Sequence, residues 1–161
     1  MPFVPFYEKF PDLAIKETRV LNVLNHPGLP SDEYGLLELY CDEPGCDCRR
    51  VMFNIQRPNS PQPDAVVAFG WESAEFYIKW LDGLPADIKE LQGPILNLGS
   101  YQSRLAPILL QQMTLILQDD KYVERLQRHY AIFRAEVERG AGTSSRRQLP
   151  PKRRKTSRKL R

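Results

Sequence analysis

The chain has 161 residues, 42% of them hydrophobic, which suits one domain with a core of its own plus tails. No apolar run approaches the ~20 residues that span a bilayer, and the N-terminal Met-Pro-Phe-Val-Pro-Phe-Tyr-Glu has no basic region before an apolar stretch, so it does not read as a secretory signal. The net charge of +3 conceals an asymmetry: residues 1–139 hold 14 of the 23 Lys and Arg and all 20 Asp and Glu, about −6, whereas residues 140–161 hold nine basic residues and no acid.

In chain order, residues 1–11, rich in proline and aromatics, read as an irregular arm, and Asp12 to Glu17 as a short helical turn. Thr18 to Leu24 has the β-branched and apolar content of a strand. Asn25-His26-Pro27-Gly28-Leu29-Pro30-Ser31 is loop. Tyr34 to Asp42 and Cys48 to Arg57 are the next strands, the latter alternating Val51, Phe53 and Ile55 with polar neighbours. Between them Pro44-Gly45 signals a type II turn, proline presetting φ and glycine accepting the positive φ that follows. Three prolines stiffen Pro58 to Pro63, and Ala65 to Trp71 supplies a fourth strand.

After Trp71 the period changes. Ser73 is a helix N-cap before Phe76, Tyr77, Trp80 and Leu81, and at that spacing these aromatics read as packing rather than as a base-stacking surface. Pro85 opens a short helix over Ala86 to Leu91. Ile95 to Ser103 is a connector. Arg104 to Leu117 carries a broad apolar stripe, and Asp119-Asp120 caps a last helix with Tyr122, Val123, Leu126, Tyr130, Phe133 and Val137 inward. The expected fold is α+β over residues 1–139: an antiparallel sheet of about four strands, followed by about four helices packed on one face. Residues 140–161 bring too little apolar surface to offset chain entropy and read as a disordered basic tail.

The chemistry concentrates in one stretch. All three cysteines fall in the pattern Cys41-x4-Cys46-x-Cys48, around the Pro44-Gly45 turn. Three thiolates that close repel one another, and a bound metal is the economical reason to gather them; sulfur ligands at a turn point to Zn2+. Structural zinc takes four ligands, so one more is needed. His129 on the last helix is the candidate, with His26, Asp42, Asp47 or a water left open. The competing readings are an enzyme: a thiol redox protein using Cys46 and Cys48 beside Arg49 and Arg50, or a zinc hydrolase with an open fourth position. The two arginines are also placed to pair with Asp42, Glu43 and Asp47. An odd cysteine count at metal-ligand spacing suits a reducing, cytoplasmic setting. No paired carboxylates, nucleophile elbow or phosphate loop stand at a telling spacing.

The tail residues Lys152, Arg153, Arg154, Lys155, Arg158 and Lys159 form a basic patch suited to nucleic acid or an acidic protein, giving affinity without sequence readout. Taken together, Glu38-Leu-Tyr-Cys-Asp-Glu-Pro-Gly-Cys-Asp-Cys-Arg-Arg50, Gly70-Trp-Glu-Ser73 and Arg128-His-Tyr-Ala-Ile-Phe-Arg134 resemble a family of uncharacterised bacterial proteins with this cysteine cluster. Some members of that family continue into a C-terminal SEC-C zinc motif. The likeness implies a metal-binding bacterial protein without an assigned reaction. This chain departs from it after Phe133, where the basic tail stands in place of the SEC-C cysteines.

Overall fold

The computed structural model describes residues 2–146, with side chains up to residue 143. The expected tail positions from Lys152 to Lys159 lie outside the described residues. The fold is α+β, as the period change at Trp71 implies. Strands β1 (Phe3–Pro5), β2 (Val20–Val23), β3 (Asp32–Cys41), β4 (Arg50–Gln56), β5 (Ala65–Gly70) and β6 (Ile95–Leu96) form one antiparallel sheet. Its order is β1-β3-β4-β5-β6, with β2 pairing the other half of β3. The helices are α1 (Phe6–Lys9), α2 (Pro11–Glu17), α3 (Ala74–Leu81), α4 (Ile88–Gln92), α5 (Ala106–Ile116) and α6 (Asp120–Arg146).

Alternation along β4 decides which face is buried first. Val51, Phe53 and Ile55 are within 1% of complete burial, while Met52 and Asn54 between them are only half-buried. With Tyr34, Leu36 and Tyr40 of β3 they pack against Leu109 and Met113 of α5 and Tyr122, Leu126 and Phe133 of α6. This is the main core. The opposite face is covered at its β5 end, where Tyr77 of α3 and Leu91 of α4 lie over Ala68 and Gly70. Val66, Val67 and Ala68 are therefore buried on both sides.

Gly70 is the tight point of that second layer. A β-carbon there would fall inside contact distance of the Tyr77 hydroxyl and the Leu91 carbonyl, one of them backbone. Gly70→Ala is expected to destabilise the protein by about 1–3 kcal/mol, the usual cost of overpacking, readable as a lowered urea midpoint at unchanged slope. An unchanged midpoint would show that α3 and α4 move aside freely.

Local capping signals mark the starts of α3, α4 and α6. The Ser73 side chain accepts from the Phe76 amide at 3.2 Å, and Asp119 Oδ1 accepts from the Lys121 amide at 3.1 Å. Three features depart from expectation. The arm at residues 1–11 is ordered into β1 and α1, because Phe3, Val4 and Pro5 pair with Cys41, Tyr40 and Leu39 at the sheet edge, where proline is tolerated. The connector contains β6, only two residues long. The last helix runs through the expected boundary at Gly140 to Arg146. Among the described residues no helix is long and apolar enough to cross a membrane.

Candidate metal centre

The loop between β3 and β4, residues 42–49, carries the site. Its turn is the expected one: the Cys46 amide donates to the Glu43 carbonyl at 3.2 Å, and Gly45 at the third position has φ 76°. Cys41 ends β3, and Cys46 and Cys48 follow the turn. The three sulfurs lie within 4.8 Å of one another, close enough to bind a metal ion. Zinc bound at ~2.3 Å holds its sulfurs about 3.8 Å apart, so small side-chain rotations close the set on an ion. Cys41 and Cys48 are fully buried and Cys46 half-buried, and none is in a disulfide.

Arg49 turns the chain out of the loop with a φ of 47°, a left-handed conformation costing a non-glycine residue roughly 1–2 kcal/mol. Its backbone is held on both sides. Tyr77 donates to its carbonyl at 2.9 Å, and its amide donates to the Tyr130 hydroxyl at 3.1 Å. Its guanidinium forms a fork with Asp47 at 3.0 Å, reaches Glu72 at 3.1 Å and lies over the Phe76 ring.

The far wall of the loop is α6. Tyr130, Arg134 and Glu138 stand four residues apart, so one helical stripe faces residues 41–49. Arg134 donates to the Cys41 carbonyl and the Glu43 carbonyl, both at 2.8 Å, and to Glu138 at 2.5 Å. Glu138 in turn accepts from the Gly45 amide at 2.7 Å. The backbone that would be orphaned around a sharp loop is thus satisfied by helix side chains.

Burial pushes all three thiols above their ordinary pKa, and the charge of a neighbouring sulfur adds to the rise at each, while a hydrogen bond with another sulfur works against it at Cys46 and Cys48. A reactive thiol needs the opposite, a thiolate stabilised by positive charge. Arg49 is committed to Asp47, one of the three acids the pairing alternative named, and to Glu72, which it did not name, while Arg50 reaches no acid but the carbonyls of Leu91 and Glu90 at 3.0 and 3.2 Å. The premise of the redox reading is therefore weakened.

The structure does not bring the candidate fourth ligand to the sulfurs. His129 is buried elsewhere on α6, with Nδ1 2.7 Å from Glu38 Oε2 and Nε2 2.5 Å from Glu17 Oε2. Both ring nitrogens are occupied. Phe6 stacks on the imidazole at 4.5 Å, and Tyr40 donates to the same Glu38 oxygen at 2.8 Å. His26 lies in the loop entering β3 at Asp32, the end of that ten-residue strand opposite Cys41, and its Nδ1 accepts from the Gly28 amide. Asp47 belongs to Arg49, and the metal-ligating group among the described residues consists of the three cysteines.

Sequence reasoning missed two constellations. One is the stripe Tyr130-Arg134-Glu138, a four-residue period visible in the chain but ambiguous without its target. The other is the Glu17–His129–Glu38 cluster. Its signal was parity: Glu38 shares the core-facing alternation of Tyr34, Leu36 and Tyr40, and an acid there requires a buried partner.

The molecule is thus an α+β protein with a three-sulfur cluster able to bind a metal. No family model matches the chain, and neither a curated protein nor a solved structure matches it.

Proposed function

We propose that the protein is a zinc-binding interaction module in which the metal is structural, fixing residues 41–49 against α6, while the basic tail contacts nucleic acid or an acidic partner. The observation that carries this reading is the convergence of all three sulfurs within 4.8 Å on a loop whose backbone is tied to α6. Thiolate donors suit zinc among the common divalent metals. The likeness to bacterial cysteine-cluster proteins supports the same reading. The tail role rests on nine basic residues in a segment without an acid.

The test is elemental analysis of untagged protein together with a thiol titration. The expected result is one zinc per chain and thiols that react only after chelation. Protein free of metal with immediately reactive thiols would overturn the reading. For the tail, removing residues 147–161 is expected to eliminate salt-dependent retention on a DNA column and leave zinc content unchanged.

A further inference from the structure

Between α4 and the β5–β6 end of the sheet lies a cavity that the metal reading does not use. It measures about 370 Å³, within the range of small-ligand sites. Ala68, Leu91, Ile95, Leu96 and Leu98 give it apolar walls, and Arg50 of β4 is its cation. Arg50 is half-buried, and one edge of its guanidinium serves the fold. Nε donates to the Leu91 carbonyl at 3.0 Å and Nη2 to the Glu90 carbonyl at 3.2 Å, satisfying the last turn of α4. The other edge, Nη1 with the second hydrogen of Nη2, donates to nothing among the described residues.

The charges around Arg50 decide the class of ligand. Among the described residues no carboxylate is within ion-pair distance of it. Glu90 lines the cavity with an exposed side chain that does not pair with the guanidinium, and Glu72 belongs to Arg49. The Cys48 sulfur acts on the guanidinium only through space and belongs to the main core, so a metal at the cysteines leaves the second edge unbonded. A partly buried cation is stabilised when an anion faces it, and a guanidinium edge matches a carboxylate in two parallel bonds. We propose that the cavity binds a small apolar carboxylate, held by the Nη1–Nη2 edge of Arg50 with its hydrocarbon body against Leu91, Ile95 and Leu96. One cation with Glu90 at the wall favours a monoanion over phosphate. Leu98, 86% exposed, stands where such a body covers it.

The test is an NMR titration of the isotope-labelled full chain with sodium hexanoate, with hexanamide and with sodium phosphate. The expected result is saturable movement of the Arg50 Nε–H signal and of the Leu96, Leu98 and Gly99 amides. Hexanamide should bind weaker by about tenfold or more, the usual loss when a hydrogen bond to a charged group is replaced by a neutral one, and phosphate should also bind weaker than hexanoate. Arg50→Gln should eliminate the response. Because that variant also uncaps α4, Leu98→Glu at the exposed rim is the second: it should weaken hexanoate binding by like-charge repulsion and leave the rest of the spectrum in place. Movement that does not saturate, hexanamide bound as tightly as hexanoate, phosphate bound more tightly than either, or an undiminished response in Arg50→Gln would overturn the proposal.

Discussion

Stripping the metal is expected to lower the thermal midpoint by about 8–16 °C. A ligand present at 1,000 times its dissociation constant stabilises the native state by ~4 kcal/mol, and ~1 kcal/mol moves the midpoint of a chain this size by roughly 2–4 °C. The effect stops well short of unfolding. The core of Phe53, Ile55, Leu109, Met113, Leu126 and Phe133 is completely buried, and the loop contributes to it only through Cys48, with Cys46 packed against it. What loosens is the loop and its clamp. Amide exchange is expected to accelerate through residues 42–49, and through residues 130–138 of α6, whose stripe loses an ordered target. The paired strands β4 and β5 should keep their protection. Cys48→Ser, which removes a fully buried sulfur, should reproduce the chelated state and no longer respond to chelator. Equal midpoints and equal exchange with and without metal would show that the three sulfurs play no structural part.

Much of this arrangement was legible in the chain, and the parts that were not have physical reasons. The loop turn was readable because Pro44 and Gly45 each have one dominant conformational use, and the glycine's φ of 76° is that use. The strands were readable wherever one face is buried, as in β4. β1 escaped notice because two prolines argue against a strand, a rule that lapses at a sheet edge. Helix α6 extends beyond Gly140 although each glycine costs about 1 kcal/mol relative to alanine, and a β-carbon at Gly140 or Gly142 would meet nothing among the described residues.

For the site, local spacing was sufficient for the cysteines and insufficient for everything that supports them. Cys41, Cys46 and Cys48 need only one turn to meet. His129 finds its partners 91 and 112 positions away, through the pairing of β3 with the sheet and the docking of α2 on α6. Its presence beside Tyr130 on a helix could not reveal which element it faced. The same separation hid the clamp, since Arg134 reaches carbonyls more than 90 residues upstream. A histidine offered by spacing as a ligand is, in the fold, buried between two carboxylates.

That cluster carries the second large effect. His129→Ala is expected to destabilise the protein by about 3–5 kcal/mol, since removing one partner leaves Glu38 a buried charge without its counter-ion. Glu38 is 4% exposed and would keep only the Tyr40 hydroxyl on Oε2. The groups facing the imidazole are Glu38 and Tyr40 from β3, Phe6 from α1, and Glu17 from α2, which is itself paired with Arg128 at 2.8 Å. Burial pulls the imidazole pKa down, but the bonds and charges of Glu38 and Glu17 outweigh it and the net shift is upward. With both ring nitrogens against carboxylate oxygens, the geometry favours the ring with both protons in place. A folded pKa above the unfolded value of ~6.5 means stability that is complete below that pH and is lost as pH rises through the folded pKa. Glu17 acts in the opposite sense: the bonds of Arg128 and then His129 lower its pKa, so its contribution is present above about 4.5 and lost in acid. Denaturation at a series of pH values should therefore show stability falling on the alkaline side in the wild type, and a flattened alkaline limb in His129→Gln, where no imidazole stands between the two carboxylates. Glu38→Gln combined with His129→Gln should recover part of the loss seen in His129→Ala, because it removes the stranded charge rather than half of a pair. An alkaline limb equally steep in wild type and His129→Gln would assign the pH dependence to another group and show His129 to be neutral in the fold.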